Sequence, residues 1–313
     1  MLPKTEKLLT ICIPTYNRAY FLEEVLASVC AQLNEDVLKY VNIVISDNAS
    51  PDNTTEIAEK YVSKYPDNIE YFRNGENIGW IKNVIKVTDY ANGKYMWLLA
   101  DDDCATGFSI TSILEIIQKK EFDLMLCRAK FFEKLPVTVE QKANGFDSFD
   151  GMKAFADYLY RKDVPYANLN SYFSFYSIII VRRELFQSSS PKLSHEFERT
   201  YFPHSYIIHS NPGLRIILPD NIFVLWRTMN EGYSCSVQLI RDFEEIFDLI
   251  EKMNGLQNDK NWRSIKSKCI KAWRVNMYLG MLLKKLGIDY KNNLLLNKVY
   301  LLYKKVLGVF FNT

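Results

Sequence analysis

The chain reads as an α/β protein, a mostly parallel sheet flanked by helices and followed by a helical, basic C-terminal extension. Three observations predict this. Short apolar runs rich in β-branched residues alternate with amphipathic stretches through residues 1–110. Polar clusters of Asp, Asn and Thr fall directly after those runs. From Phe243 onward the apolar spacing is helical and basic residues predominate. Alternating strands and helices imply βαβ units with right-handed crossovers and a parallel sheet.

The elements follow in order. Leu8 to Pro14 (LLTICIP) is an unbroken apolar run ending at proline, as a strand buried on both faces should be. Tyr20 to Gln32 places Phe21, Leu22, Val25, Leu26 and Val29 on one helical face. Val41 to Ser46 is a second strand, stopped by the turn-forming stretch from Asp47 to Asp52. Thr54 to Tyr65 reads as a helix, Ile69 to Arg73 as a strand and Asn77 to Ala91 as a helix. Tyr95 to Leu99 is the fourth strand and runs into Asp101, Asp102 and Asp103. Beyond it come a helix from Ile110 to Lys120 and a strand near Asp123 to Arg128. A strand is expected within Ser171 to Val181, and another within Leu214 to Trp226. No internal repeat or low-complexity linker divides the chain. The expected division is a domain over 1–240, with a donor half at 1–110 and an acceptor half at 111–240, and an extension over 241–313.

The 48% hydrophobic and 24% charged residues are a globular balance. A net charge of +2 gives no reason to expect nucleic-acid binding. The six cysteines form no CxxC pair, which argues against zinc and redox motifs and fits free thiols in a reducing compartment. No long apolar stretch follows the N-terminal lysines, and no window holds ~18 uninterrupted apolar residues, so neither a signal peptide nor a spanning helix is expected.

Four polar clusters at strand ends carry the candidate chemistry, because open α/β sheets bind ligands at those ends. Three adjacent aspartates repel one another, so Asp101 to Asp103 suggests a cation nearby. A hard divalent ion bridges carboxylate and phosphate oxygens and stabilises a departing diphosphate. The plain alternative is a solvated turn or helix cap. Asp47 is placed to accept hydrogen bonds from a base or ribose, or else to form an Asx turn. In Pro14-Thr15-Tyr16-Asn17-Arg18, Tyr16 suits base stacking and Arg18 a phosphate; otherwise this is a helix-entry loop. Asn77-Ile78-Gly79 opens a helix whose N-terminus favours anions. It matches neither GxGxxG nor GxxxxGK[ST], which disfavours dinucleotide and P-loop readings.

The stretches IPTYNR (Ile13 to Arg18), ISDNASPDNT (Ile45 to Thr54), NIGWIKN (Asn77 to Asn83) and WLLADDD (Trp97 to Asp103) together resemble the family 2 glycosyltransferases. Their fold, GT-A, is a Rossmann-like, mostly parallel sheet flanked by helices. The resemblance implies a hexosyltransferase-type enzyme with a nucleoside-diphosphate-sugar donor, a Mg or Mn ion and a hydroxyl acceptor. It assigns Pro14, Thr15, Tyr16, Asn17 and Arg18 to the donor pocket and Asp47 to the base. Asn77, Gly79 and Asn83 fall in the donor floor. The family's metal-binding DxD lies at Ala100 to Asp102, with alanine in place of its first aspartate. The metal therefore falls to Asp102, assisted by Asp101 or Asp103.

FSFYSIIIVRRELF (Phe173 to Phe186) and TYFPHSYIIHS (Thr200 to Ser210) are similar to a narrower subgroup that includes abequosyltransferases of bacterial O-antigen assembly. Where the family usually places a catalytic Asp or Glu, this chain reads Pro203-His204. His204 is the candidate base for the acceptor hydroxyl, with Glu196 and Glu198 as rivals and a packed structural histidine as the alternative. Arg227 falls where the family often closes a loop over the diphosphate.

Residues 261–313 hold eleven Lys or Arg and one acid, Asp289, interleaved with apolar residues. Basic amphipathic helices bind anionic membranes. The expectation is a cytoplasmic enzyme, peripheral at the inner face of the cell membrane, acting on a lipid-linked glycan. The alternative for the tail is a set of helices packed on the domain. The rival functions are a nucleotidyltransferase and a catalytically degenerate nucleotide-sugar-binding module.

Overall fold

The computed structural model describes residues 7–164, 172–189, 200–227 and 237–285. The first half follows the expected alternation closely: β1 (Leu9–Thr15), α1 (Ala19–Cys30), α2 (Glu35–Tyr40), β2 (Val41–Asp47), α3 (Thr54–Lys64), β3 (Ile69–Arg73), α4 (Trp80–Asp89) and β4 (Tyr95–Leu98). Strands β3, β2, β1 and β4 pair in that order, all parallel. β1 and β2 are buried along their whole length, which is why both read as unbroken apolar runs. The short helix α2 is an addition to the expected order. Asn34 caps it, accepting from the backbone N–H of Asp36 and Val37 at 3.1 and 3.0 Å.

A close approach fixes β1 against the turn before β4. Gly93 donates its N–H to Thr10 Oγ1 at 2.8 Å, and a Cβ at Gly93 would lie 2.8 Å from the β1 backbone.

The second half differs from the sequence expectation. It contains β5 (Cys104–Ala105), α5 (Ser109–Lys119), β6 (Leu124–Leu126), β7 (Arg128–Phe132), β8 (Phe146–Asp150), α6 (Met152–Arg161), β9 (Ile179–Arg182), α7 (Arg183–Ser189), α8 (Pro203–His209), β10 (Arg215–Pro219) and β11 (Ile222–Arg227). Only Ile179–Arg182 of the predicted Ser171–Val181 strand is extended; Tyr176–Ile178 is a 3₁₀ turn. The run is aromatic on both sides of Ser174, and apolar content alone does not separate a strand from a helical turn. Leu214 to Trp226 is two strands, broken at Asp220-Asn221 and placed in different sheets.

β9 lies between β4 and β6, antiparallel to both, and β10 and β8 complete the eight-stranded sheet. β5, β11 and β7 form a second, three-stranded sheet. Asp123, at the start of β6, binds the guanidinium of Arg182 at 3.0 Å and that of Arg215 at 2.9 Å, joining three strand ends.

Two long helices follow, α9 (Val237–Asn254) and α10 (Lys260–Lys285). Their apolar faces enter the same core as the sheet: Phe243 and Phe247 of α9 and Trp262 and Trp273 of α10 are buried with Phe173 and Phe202. Ring contacts join them, with Phe243 and Trp273 stacked at 4.4 Å and Phe173 and Phe247 at 5.0 Å. Among the described residues no helix is long and apolar enough to cross a membrane.

Candidate active site

The parallel strands β1, β2 and β4 deliver their polar ends to one edge of the sheet, and hydrogen bonds connect them. Thr15 donates to Asp101 Oδ2 at 2.8 Å. Asn17 adopts a positive φ of 54° and donates its N–H to Ser50 Oγ at 2.8 Å, tying the first loop to the second. Asn48 donates to Asn77 Oδ1 at 2.7 Å, tying the second to the third. Asn83, buried on α4, donates to the Ser46 carbonyl at 2.9 Å and the Thr15 carbonyl at 3.4 Å. It also accepts from Ser46 Oγ at 2.8 Å. The strand ends and the helix after Gly79 are therefore one cross-linked floor. Gly79 itself has φ 86°, a conformation that favours glycine, and the space around it is open.

The aspartates form the electrostatic centre. Arg18 places one nitrogen 3.0 Å from Asp101 Oδ1 and 2.9 Å from Asp102 Oδ2. Burial and the adjacent Asp102 charge push the Asp101 carboxyl up to about 6, against the pull of Arg18 and Thr15. Burial and then Asp102 raise Asp103 well above the ordinary carboxylate range, although Ser177 and the Arg227 N–H both hydrogen-bond to it. Burial opposes the charge on Arg18, yet Asp101 and Asp102 together hold it above its usual range. Asp102 is the most accessible of the three: its side chain is 17% exposed, and Asp101 and Asp103 are buried.

Other predicted site residues occupy different roles. Asp47 is fully buried, accepting from Ser50 N–H at 2.9 Å, Ser50 Oγ at 2.5 Å and Tyr71 OH at 2.7 Å. These bonds to Ser50 form the Asx-type turn. Pro14 is buried at the end of β1, and Tyr16 stands at the rim, 42% exposed.

Arg227 is turned inward. Its Nε donates to the Asp102 carbonyl at 2.9 Å, it pairs with Glu24, and its guanidinium lies 4.4 Å over the Phe132 ring. These contacts brace α1, β11 and the aspartate turn together. His204 is buried, with Nε2 3.2 Å from the Ser174 carbonyl and no partner for Nδ1. Burial pushes its imidazole down to about 3, with the Ser174 bond opposing. It packs edge-on against Tyr176 at 5.6 Å. That position is one layer behind the cleft, and does not support the reading of His204 as the acceptor's base. Glu196 and Glu198 lie outside the described residues.

Residue-level reading missed Asn48, Ser177 and Glu24. Asn48 adjoins Asp47 and shares its turn signal, whereas Ser177 sits in an aromatic run and Glu24 on a helix face, where nothing local marks them.

A family model for glycosyl transferase family 2 matches residues 10–188, which span all four strand-end loops. The chain belongs to glycosyl transferase family 2. This glycosyltransferase is 28% identical over 244 residues to abequosyltransferase RfbV of Salmonella typhimurium, covering 72% of this chain and 68% of that one. It is 30% identical over 108 residues to a GalNAc(5)-diNAcBac-PP-undecaprenol beta-1,3-glucosyltransferase of Campylobacter jejuni, covering 34% and 33%.

In fold it is similar to S. aureus TarS 1-349 in complex with UDP-GlcNAc (TM-score 0.56, 18% identity, covering 87% of this chain and 72% of that one). It is also similar to the mannosyltransferase PcManGT of Pyrobaculum calidifontis, in complex with GDP-Man and Mn2+ (TM-score 0.55, 15% identity, covering 96% and 80%). The expected GT-A architecture is thus present, and glycosyl transfer prevails over the nucleotidyltransferase and degenerate-module alternatives.

Proposed function

We propose that this glycosyltransferase moves one sugar from a nucleoside-diphosphate sugar to a hydroxyl of a lipid-linked glycan in bacterial surface polysaccharide assembly. The observation that carries the donor half is the convergence of Thr15 and Arg18 from the first loop on Asp101 and Asp102 from the fourth. A guanidinium held at the strand ends, and an open glycine at the helix N-terminus that follows β3, suit a diphosphate. The similarity to an abequosyltransferase and to a GalNAc(5)-diNAcBac-PP-undecaprenol beta-1,3-glucosyltransferase supports the acceptor class.

The residues present fit a hard divalent ion, Mg or Mn, at Asp102. Among the described residues no group of three or more His, Cys, Asp or Glu is placed to hold a metal. A hard ion of this kind needs only one or two carboxylates when phosphate oxygens and water complete its shell. Bound there, the ion supplies positive charge to the leaving diphosphate. The chain's own contribution is positional: Thr15 and Arg18 fix Asp101, Arg227 fixes the backbone of Asp102, and Asn83 keeps the loops in register. Transfer forms the bond from acceptor oxygen to anomeric carbon, breaks the bond to the diphosphate and releases the acceptor proton to a base. With His204 buried and neutral, its role is to position Ser174 and Tyr176.

Attachment to an anionic membrane surface on the cytoplasmic side is assigned to residues 286–313. Three cations of α10 are paired internally, Lys266 with Asp248 and Glu251, Lys268 with Asp163 and Arg274 with Glu244. Lys291, Lys298, Lys304 and Lys305 lie beyond the described residues, against Asp289 alone.

The test is a thermal-shift panel of UDP, GDP, CDP and dTDP with and without Mn or Mg. One of them, at ~100 times its Kd, should stabilise the fold by about 2.7 kcal/mol. No shift with any of the four would remove this reading.

A further inference from the structure

A cavity of about 210 Å³ opens between β7 and the β10–β11 turn, away from the aspartates. Its depth is set by Tyr172 and Asn221, both buried. Asn221 is fully engaged, accepting from the Lys142 N–H at 2.7 Å and donating to the Lys142 carbonyl at 3.1 Å and Asn144 Oδ1 at 2.9 Å. Tyr172 is 5% exposed and lines the cavity. A tyrosine joins an apolar ring to a hydroxyl that takes a polar partner, which suits a polar ligand or water in this cavity. Arg128, Glu140 and Asp220 supply charged donors and acceptors around the mouth.

The cavity does not stand alone. Phe131 lines it, and its ring meets Trp226 at 4.6 Å; Trp226 meets Phe175 at 4.0 Å. All three rings are half-buried and present one continuous apolar track. Its far end adjoins the candidate active site through both neighbours. Tyr176 follows Phe175 and lies near Arg18, and Arg227 follows Trp226 and holds Asp102 and Asp103. Strand β11 separates the two ends by roughly 16 Å at ~3.3 Å per residue.

The geometry points to an acceptor-glycan groove: the Phe131–Trp226–Phe175 track carries the sugar faces, and the Tyr172 cavity takes a sugar at least two units from the reacting hydroxyl. A saccharide has what both parts need, apolar C–H faces for the rings and hydroxyls for Tyr172 and the charged mouth. The volume equals that of about seven waters at ~30 Å³ each, room for one sugar ring. This inference rests on the glycosyltransferase reading above and adds that chain length, not only the terminal sugar, selects the acceptor.

The experiment uses the full chain with UDP present. Trisaccharides of hexose, N-acetylhexosamine and 6-deoxyhexose units, with their terminal disaccharides, are compared by saturation-transfer NMR. At least one trisaccharide should bind about tenfold more tightly than its disaccharide. Trp226→Ala should remove most of that gain and Tyr172→Phe several-fold of it, while Trp226→Phe, which keeps a ring and guards against misfolding, retains part. Equal binding of trisaccharides and disaccharides, no binding at all, or a gain that survives both substitutions overturns the groove, provided a nucleoside diphosphate still shifts the melting temperature. Absence of that diphosphate shift in the unsubstituted protein brings down the donor reading instead, and this inference with it.

Discussion

Arg18 is the hinge of the site's electrostatics: one guanidinium nitrogen serves two carboxylates on adjacent residues. Like charges ~4 Å apart repel by about 4 kcal/mol at an effective dielectric of 20, so the pair persists only with a cation between them. Asp102→Asn removes the accessible charge with little change of shape. Transfer should fall about 100-fold or more, with the far-UV circular dichroism unchanged; full activity would eliminate Asp102 as a metal or diphosphate partner.

Asp103 bears on stability. Burial raises both Asp101 and Asp103, so from about pH 4 to beyond pH 6 the folded chain binds more protons than the unfolded one. Stability from these groups therefore falls as pH rises through that window. Asp103→Asn keeps an acceptor oxygen for the Arg227 N–H and an amide that can donate to Ser177 Oγ, without the buried charge. It should melt higher than the natural chain at pH 7.5, by roughly 2–4 °C, and the difference should close near pH 4. A variant that melts lower at pH 7.5 would show that the carboxylate's hydrogen bonds outweigh its burial.

At the level of elements, α4 does more than flank the sheet. Asn83 reaches from its first turn to two strand-end carbonyls and to the side chains of Ser46 and Asn74. Asn83→Leu removes these bonds, although the Thr15 carbonyl keeps the Asn48 N–H and the Asn74 amide keeps Asn48 Oδ1. At ~1–3 kcal/mol each before relaxation, the melting temperature should drop by roughly 5–10 °C, and the nucleoside-diphosphate shift should weaken alongside it. A drop in stability with undiminished diphosphate binding would separate the scaffold from the site.

The donor half was readable because its strands are buried on both faces and its loops carry Asp, Asn, Gly and Pro, so local chemistry and fold agree. Asn83 is legible there through its motif, although its bonds are not. The acceptor half was harder. Phe173 to Ile178 is as apolar as a strand but coils to pack its rings, and β5 and β6 are too short to show any period. Inward-turned Arg227 and buried His204 show the further limit, since residue type fixes chemistry but tertiary packing fixes which way it faces.

Across the whole molecule, the C-terminal helices are part of the core and not a detachable appendage in packing terms. Phe243, Phe247, Trp262 and Trp273 are buried beside Phe173 and Phe202, the former next to Ser174 and the latter next to Pro203 and His204. Ending the chain after Asp259 removes Trp262 and Trp273 and exposes Phe173, Phe202, Phe243 and Phe247, each worth roughly 1.5–3 kcal/mol of burial, and the product should be insoluble or molten. Ending it after Lys285 should leave folding unchanged and lower co-sedimentation with phosphatidylserine-containing vesicles. Sedimentation equal to that of the full chain would reject the tail as the attachment.

The antiparallel strand β9 also has a consequence for how the protein is made. β3, β2, β1 and β4 can zip together as they leave the ribosome, but both neighbours of β6 in the sheet, β9 and β10, are encoded later. At ~5–20 residues per second, Leu124–Leu126 waits on the order of several seconds for Ile179–Arg182. Translation speed between those two codon stretches, and any chaperone that shields the waiting strand, should therefore govern the yield of soluble enzyme.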